Sequence, residues 1–216
     1  MFPELRFHCK EISQHKSVLR SLLNWHLKKE TLRGKTIDIG GGKNADYISF
    51  MKREEGVQFE SFDMKRGQQV NFETDLLPAP NNTYDTILFL NVLEHIFNYQ
   101  HIANEVVRVL KPDGQLIGFV PFLMWYHPDH KDFFRYTHEA LEIILKRTGA
   151  TNVSIEPVAR GPFIASLQIR LFSYPRLLRI GAFCIAYALD TLYMRLKVKK
   201  GDSSRYIIGY IFRVSK

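Results

Sequence analysis

The 216 residues suffice for a full core in one domain, and a composition of 45% hydrophobic and 24% charged residues excludes disordered and fibrous classes. The formal net charge of +8 is uneven: residues 1–160 carry 20 Lys+Arg against 20 Asp+Glu, whereas residues 161–216 carry ten against two. Such asymmetry points to a localised contact with something anionic, either a membrane surface or nucleic acid.

In chain order, the opening "MFPELRFHCKE" has no hydrophobic signal core, so the expected location is the cytoplasm. Cys9 and Cys184 stand far apart in sequence and outside any C-x-x-C pattern, which speaks against a disulfide scaffold or a Cys-based zinc site. Residues 12–30 are predicted as one N-terminal helix, with Val18, Leu19, Leu22 and Leu23 on one side. Short apolar runs then alternate with helical segments. "KTIDIG" is a first strand, "VQFESFD" a second ending at Asp63, "YDTILFLN" a third ending at Asn91, and "QLIGFVP" a fourth ending at Pro121. Between the last two, Ile102, Val106, Val107 and Leu110 recur at helical spacing, and "KPDG" is predicted as the turn into the next strand. "YTHEALEIILKRTG" reads as a helix with Thr137 as N-cap and Gly149 just past its end. "NVSIEPV" and "YIIGYIFRV" supply two further strands. This alternation predicts an open α/β fold built on a parallel sheet, whose ligands sit beyond the carboxyl ends of the strands.

The stretch "TIDIGGGKNADY" ends the first strand in three glycines with Asp38 just before them. A phosphate loop is excluded, because Asn44 follows Lys43 where Ser or Thr is required and the first glycine of that motif is missing. A dinucleotide site fits better: Gly40, Gly42 and Ala45 match G-x-G-x-x-G/A, and Asp63 stands about twenty residues on. Asp38 opposes it, since a pyrophosphate on these amides would lie beside a carboxylate. S-adenosylmethionine, with its ammonium and sulfonium groups, reverses that sign. Asp38 then offsets positive charge, the glycine amides take the carboxylate, and Asp63 accepts from both ribose hydroxyls.

Asp38-Ile-Gly40-Gly41-Gly42-Lys-Asn44 resembles motif I of the class I S-adenosylmethionine-dependent methyltransferases. "NFETDLLPAPNNTYDTILFLNVLEHI", "LKPDGQLIGFVPF" and "HPDHKDFFRYTHEAL" are similar to later landmarks of the type 11 branch. The resemblance covers roughly residues 35–150, with Asn44 standing where a third glycine is often found. It implies a Rossmann-like, seven-stranded, mainly parallel sheet with helices on both faces and an antiparallel last strand. It further implies that Asp38, Gly40, Gly41, Gly42 and Asn44 surround the methionine end of S-adenosylmethionine. Asp63 and Met64 would lie at the ribose, Asp75 and Leu76 at the adenine, and Asn91 near the sulfonium. The organisation expected is one domain over residues 1–216: the N-terminal helix, a cofactor-binding core at 35–160, a basic, apolar helical insertion at 161–200, and a final strand at 205–214.

Candidates at the acceptor side are His127, His95 and Asp132. His127 follows the strand ending at Pro121, where the methyl group must point, and histidine titrates in the range suited to taking a hydroxyl proton. Asp132 orients it, and Arg135 reads equally as a structural partner. His95 follows Glu94 in the "LEH" turn, and Glu94 itself reads as capping or packing. Trp125, Tyr126, Phe133 and Phe134 either line the acceptor pocket or pack a lid. His127 and His130, with Asp129 and Asp132, have metal-ligand spacing, but no third strong ligand is evident elsewhere, so no metal is expected.

The insertion holds an apolar run from Ile180 to Leu189 with Arg176 and Arg179 before it and Arg195, Lys197, Lys199 and Lys200 after it. Ten residues are too few to span a bilayer, and Asp190 interrupts the run. A helix lying on an anionic membrane surface, a lid and a dimer contact all accommodate it. Nucleic acid is disfavoured, because the basic residues are interleaved with aliphatics rather than aromatics. The function expected is methyl transfer to a small or lipid- or glycan-linked hydroxyl acceptor, at the cytoplasmic face of a membrane where the acceptor is membrane-borne. A nicotinamide-dependent oxidoreductase and a non-catalytic adaptor are the alternatives. If Asp63 holds the ribose hydroxyls, Asp63→Ala will weaken S-adenosylmethionine binding by about 1.5–3 kcal/mol in calorimetric titration; unchanged affinity removes that role.

Overall fold

The computed structural model describes residues 3–41, 45–62, 70–127, 131–197 and 205–216. Two helices, α1 (Pro3–Ser13) and α2 (Val18–Leu27), precede strands β1 (Thr31–Leu32), β2 (Lys35–Ile39), β3 (Lys52–Arg53), β4 (Gln58–Phe62) and β5 (Tyr84–Leu90). Then come α3 (Tyr99–Val109), β6 (Leu110–Pro121), α4 (His138–Lys146), β7 (Asn152–Ala159), α5 (Pro162–Arg170), α6 (Arg176–Lys197) and β8 (Ile207–Ser215). The chain divides into two compact units. One comprises Met1–Lys29, Phe122–Trp125 and Pro157–Gly209; the other comprises Glu30–Pro121, Tyr126–Glu156 and Tyr210–Lys216.

The main sheet has the order β4-β2-β5-β6-β8-β7, with β4, β2, β5 and β6 mutually parallel. Among the described residues it has six strands rather than the seven expected, while β1 and β3 form a separate two-residue parallel pair. The central strand β5 is buried along nearly its whole length, as a strand covered on both faces must be. Phe212 of β8 lies over Gly118, where an added Cβ would stand 2.0 Å from the ring. Lys216, just after β8, reaches the carbonyl of Leu110 at the start of β6. Strand β8 therefore runs antiparallel to β6. The predicted "KPDG" turn is instead absorbed into β6. Tyr84 pairs with Leu110 but Thr86 with Gln115, so the surplus residues bulge, with Asp113 in the left-handed region at φ 62°. Helix α4 begins as predicted: Thr137 Oγ1 accepts from Ala140 N at 3.3 Å, and Gly149 beyond its end has φ 81°.

In the helical unit, the single helix predicted for residues 12–30 is two. The chain turns at His15 (φ 65°), and Ser17 opens α2 by accepting from Arg20 N at 3.1 Å. Buried polar pairs tie the helices together: His8 Nδ1 to Ser21 Oγ at 2.7 Å, Asn24 to Glu11 at 2.6 Å, and Leu19 N to Gln168 at 2.8 Å. Cys9 and Cys184, distant in sequence, face each other at 3.4 Å between α1 and α6 as free thiols. Burial and the facing sulfur push the Cys9 thiol up to about 12.

Helix α6 corrects the reading of its own segment. Instead of a ten-residue apolar run stopped by Asp190, it is one helix of 22 residues, long and apolar enough to cross a membrane by length and composition. Asp190 is fully buried because its carboxylate accepts from Phe163 N and Ile164 N, each at 2.9 Å, at the N-terminus of α5. Gly161 makes room, since a Cβ there would meet that carboxylate at 2.5 Å. Arg160 lies 3.4 Å over the Tyr187 ring and donates to Glu4 at 2.8 Å. Removing the cap in Asp190→Ala leaves the amides of Phe163 and Ile164 without that acceptor, the latter buried, and will lower unfolding stability by about 1–3 kcal/mol in urea titration.

Candidate active site

Asp38 lies in β2 and is fully buried, with Tyr47 Oη donating to its Oδ2. Gly40 follows in the left-handed region (φ 88°), its N–H bonded to Phe62 O at 2.7 Å. A Cβ at Gly40 would stand 2.4 Å from Val92 Cγ2, and one at Gly41 would stand 1.7 Å from Asp38 Oδ2. Only glycine lets this turn sit on its support, so the backbone here can be approached as closely as glycine permits. The support is a carboxylate with no face open to solvent. Asn91, the residue after β5, also adopts the left-handed region (φ 55°), which asparagine tolerates better than most side chains, and its N–H donates to Phe119 O at 2.9 Å. Gly40 packs on Val92, so the ends of β2 and β5 meet at Asp38, Gly40 and Asn91.

Asp75 is exposed and closes its own turn, accepting from Asn71 N at 2.9 Å and Thr74 Oγ1 at 3.0 Å; these bonds hold its carboxyl below the usual range. Leu76 beside it is 67% exposed, an unpacked apolar surface. Gly42, Asn44, Asp63 and Met64 lie outside the described residues, as do Asp129 and His130.

Downstream of Asn91, a short helical turn at Leu93–His95 leads into a cluster of acids and imidazoles. His95 and His127 meet edge to face, with ring centroids 5.1 Å apart. Asp132 is buried and gripped by two guanidinium nitrogens of Arg135, one at 2.7 Å from Oδ2. The same Oδ2 accepts from His127 N at 3.1 Å and stands 3.6 Å from its Nδ1. Arg135 holds the Asp132 carboxyl down to about 2, so it stays ionised at neutral pH. His95 Nδ1 lies 2.6 Å from the carbonyl of Lys131. Arg135 is thus the ion-pair partner that orients the orienting acid.

Glu94, read from the sequence as capping and packing, is packed here. It is fully buried within this cluster rather than capping a helix, and burial pushes its carboxyl up to about 8. Phe134 stacks on Phe97 and, with Tyr99, Asn98, Gln100 and Arg147, borders an open cavity of about 760 Å³. Tyr126 stands 71% exposed. Among the described residues, no three His, Cys, Asp or Glu side chains are grouped to hold a metal ion.

Residues 12–155 match the family model described as "Methyltransferase domain". An uncharacterized protein of Methanocaldococcus jannaschii is 51% identical over 44 residues, 20% of this chain and 19% of that protein. An uncharacterized methyltransferase of a Mycobacterium species is 28% identical over 116 residues, 48% of this chain and 45% of that protein. Both matches thus span less than half of the relative's own length. The crystal structure of a SAM-dependent methyltransferase from Archaeoglobus fulgidus superposes with a TM-score of 0.58 at 15% identity, covering 95% of this chain and 97% of that one. At that identity the likeness is one of fold.

Proposed function

Because the chain belongs to the methyltransferase-domain family, as a class I S-adenosylmethionine-dependent methyltransferase, we propose that it methylates a hydroxyl group on a small or lipid- or glycan-linked acceptor, with His127 as the base. Family membership removes the nicotinamide alternative. The cofactor agrees with the residues present: the Gly40–Gly41 turn packs on Val92 and Asp38 so closely that no Cβ fits, and the acid beneath it suits a cationic ligand better than a diphosphate. Asp38, Gly40, Gly41 and Asn91 would hold its methionine end. The stretches with Gly42, Asn44, Asp63 and Met64 would complete the site, with Asp75 and Leu76 toward the adenine. When bound, S-adenosylmethionine supplies a methyl group on a positively charged sulfur, already activated for displacement.

The observation that carries the hydroxyl reading is the Arg135–Asp132–His127 series. A leaving methyl donor needs no acid, but a hydroxyl acceptor must lose a proton. Asp132 is kept ionised by Arg135 and fixes His127 through its backbone N–H, with the carboxylate 3.6 Å from Nδ1. His127 then holds the proton as the acceptor oxygen becomes an ether. His95 stands against it as a second imidazole. Incubation with labelled S-adenosylmethionine and a membrane lipid extract will place label in the extractable acceptor. His127→Ala will lower turnover about 100-fold while leaving cofactor affinity nearly intact. Cofactor binding without labelled product in any extract would favour the adaptor reading instead.

A membrane-borne acceptor is supported by the exposed face of α6. Leu178, Ile185, Leu189, Leu192 and Leu196 are exposed along one side of the helix, Ile185 at 64% and Leu196 at 73%, while Phe183, Tyr187 and Asp190 on the other side are buried. Arg176, Arg179 and Arg195 stand near its ends. Asp190, committed to α5, opposes a spanning role. An aliphatic stripe with basic ends fits the interface of an anionic bilayer, at the cytoplasmic face in this reading. In vesicle flotation the protein will bind phosphatidylglycerol but not phosphatidylcholine membranes, and Ile185→Asp with Leu192→Asp will weaken binding at least tenfold. Equal binding by the variant sinks the membrane contact.

A further inference from the structure

Helix α3 has a buried apolar face, with Ile102, Val106 and Val109, and a second stripe on which Asn98, His101, Glu105 and Arg108 recur at three- and four-residue spacing. All four bond to the segment after Asn71. Asn98 Nδ2 donates to Glu73 O at 2.8 Å, and the Glu73 carboxylate accepts from Phe97 N at 2.9 Å and Asn98 N at 2.6 Å. His101 Nε2 lies 2.9 Å from Asp75 O; a carbonyl only accepts, so that nitrogen is the N–H donor. Glu105 and Arg108 are joined by two hydrogen bonds of 2.8 Å. Together they take both peptide groups of one residue: Glu105 accepts from Leu77 N at 2.8 Å, and Arg108 donates to Leu77 O at 3.0 Å. Arg108 also donates to Ala79 O at 2.9 Å and Asn81 Oδ1 at 2.8 Å. Burial works to raise the Glu105 carboxyl, but the guanidinium and the Leu77 N–H outweigh it and hold it below the usual range, so the pair is ionised at neutral pH.

The residues between these anchors are the ones left open. Leu77 is buried, whereas Asp75 and Leu76 are exposed, the first with its backbone carbonyl tied to His101 and the second between two anchored neighbours. We propose, on the placement of Asp75 and Leu76 toward the adenine inferred above, that Glu105 and Arg108 are positioning residues that make the site select an aminopurine over an oxopurine. Their ion pair fixes the Leu77 peptide groups before any ligand arrives, and so presents the Asp75 carboxylate to the edge of the base and Leu76 to its face. An ionised carboxylate accepts from an exocyclic amino group and repels a carbonyl oxygen at the same place, provided that its position is held. The two bonds that Asp75 accepts within its own turn leave it further acceptor capacity. Because the segment is ordered by folding, binding does not bear that entropy. Arginine is required at position 108, since Nε, Nη1 and Nη2 are each engaged and an ammonium cannot span the same acceptors.

In calorimetric titration the wild-type chain will bind S-adenosylhomocysteine at least tenfold more tightly than S-inosylhomocysteine, whose base carries an oxygen in place of the amino group. Arg108→Lys, which keeps the charge and gives up the fork, and Glu105→Gln will each lower that ratio at least fivefold, chiefly by weakening the adenosyl compound. In the unliganded variants the Leu77 amide will exchange its hydrogen at least tenfold faster while the β5 amides stay protected, which separates release of this segment from general unfolding. Asp75→Ala tests the adenine placement itself. A ratio lost in Asp75→Ala but kept in Arg108→Lys and Glu105→Gln overturns the positioning role alone. A wild-type ratio near one, or a ratio unchanged in Asp75→Ala, removes the adenine placement and this proposal with it. The wild-type chain gives a reading that needs no variant to fold: its Leu77 amide will be as protected before ligand is added as after. Protection that arises only on binding overturns the proposal, because the segment is then ordered by the ligand.

Discussion

A buried carboxylate beneath a glycine turn is the constraint on which the rest of this site depends. Asp38 is closed to solvent and held by Tyr47, and the turn at Gly40 and Gly41 rests on it so closely that no Cβ fits. An acid under a set of backbone amides is a poorer base for a diphosphate than for a cationic nucleoside. The same contacts bring the ends of β2 and β5 together, because the atom nearest to a Cβ at Gly40 belongs to Val92. From Val92 the chain enters directly the turn that carries Glu94 and His95.

Beyond that turn, two acids in one cluster are kept in opposite states by their surroundings. Asp132 is buried but gripped by a guanidinium, which stabilises its ionised form; Glu94 is buried without such a grip and keeps its proton. The two histidines therefore stand beside one acid held ionised and one held toward its neutral form. Site chemistry here is a matter of which acid Arg135 can reach, and that is decided by packing.

Asp190 extends the point to the helical unit. In an apolar helix an acid ordinarily marks the solvent side or the end of a membrane-compatible run. Here it turns inward, satisfies two amides of α5, and orients α6 so that its aliphatic stripe is the side left outward. One buried polar contact thereby selects which face of the helix is exposed.

Much was legible in the chain itself. Periodicity marked the strands and α4 with its Thr137 cap, and the glycines with their neighbouring acid pointed to the family, because these features depend on residues close in sequence. The charge asymmetry of the last quarter was likewise readable by counting. Other readings needed the fold. The break after Ser13 comes from a left-handed residue and a capping serine, the bulge in β6 from pairing with β5, and the meeting of Cys9 with Cys184 from the packing of α1 on α6. The inward direction of Glu94 and Asp190, and the turn-closing work of Asp75, were likewise out of reach. Composition and local spacing determine which chemistry a chain can hold. Whether a given carboxyl is ionised, protonated or used up in holding the backbone depends on its distance to a few partners far away in sequence, and only tertiary packing sets that distance.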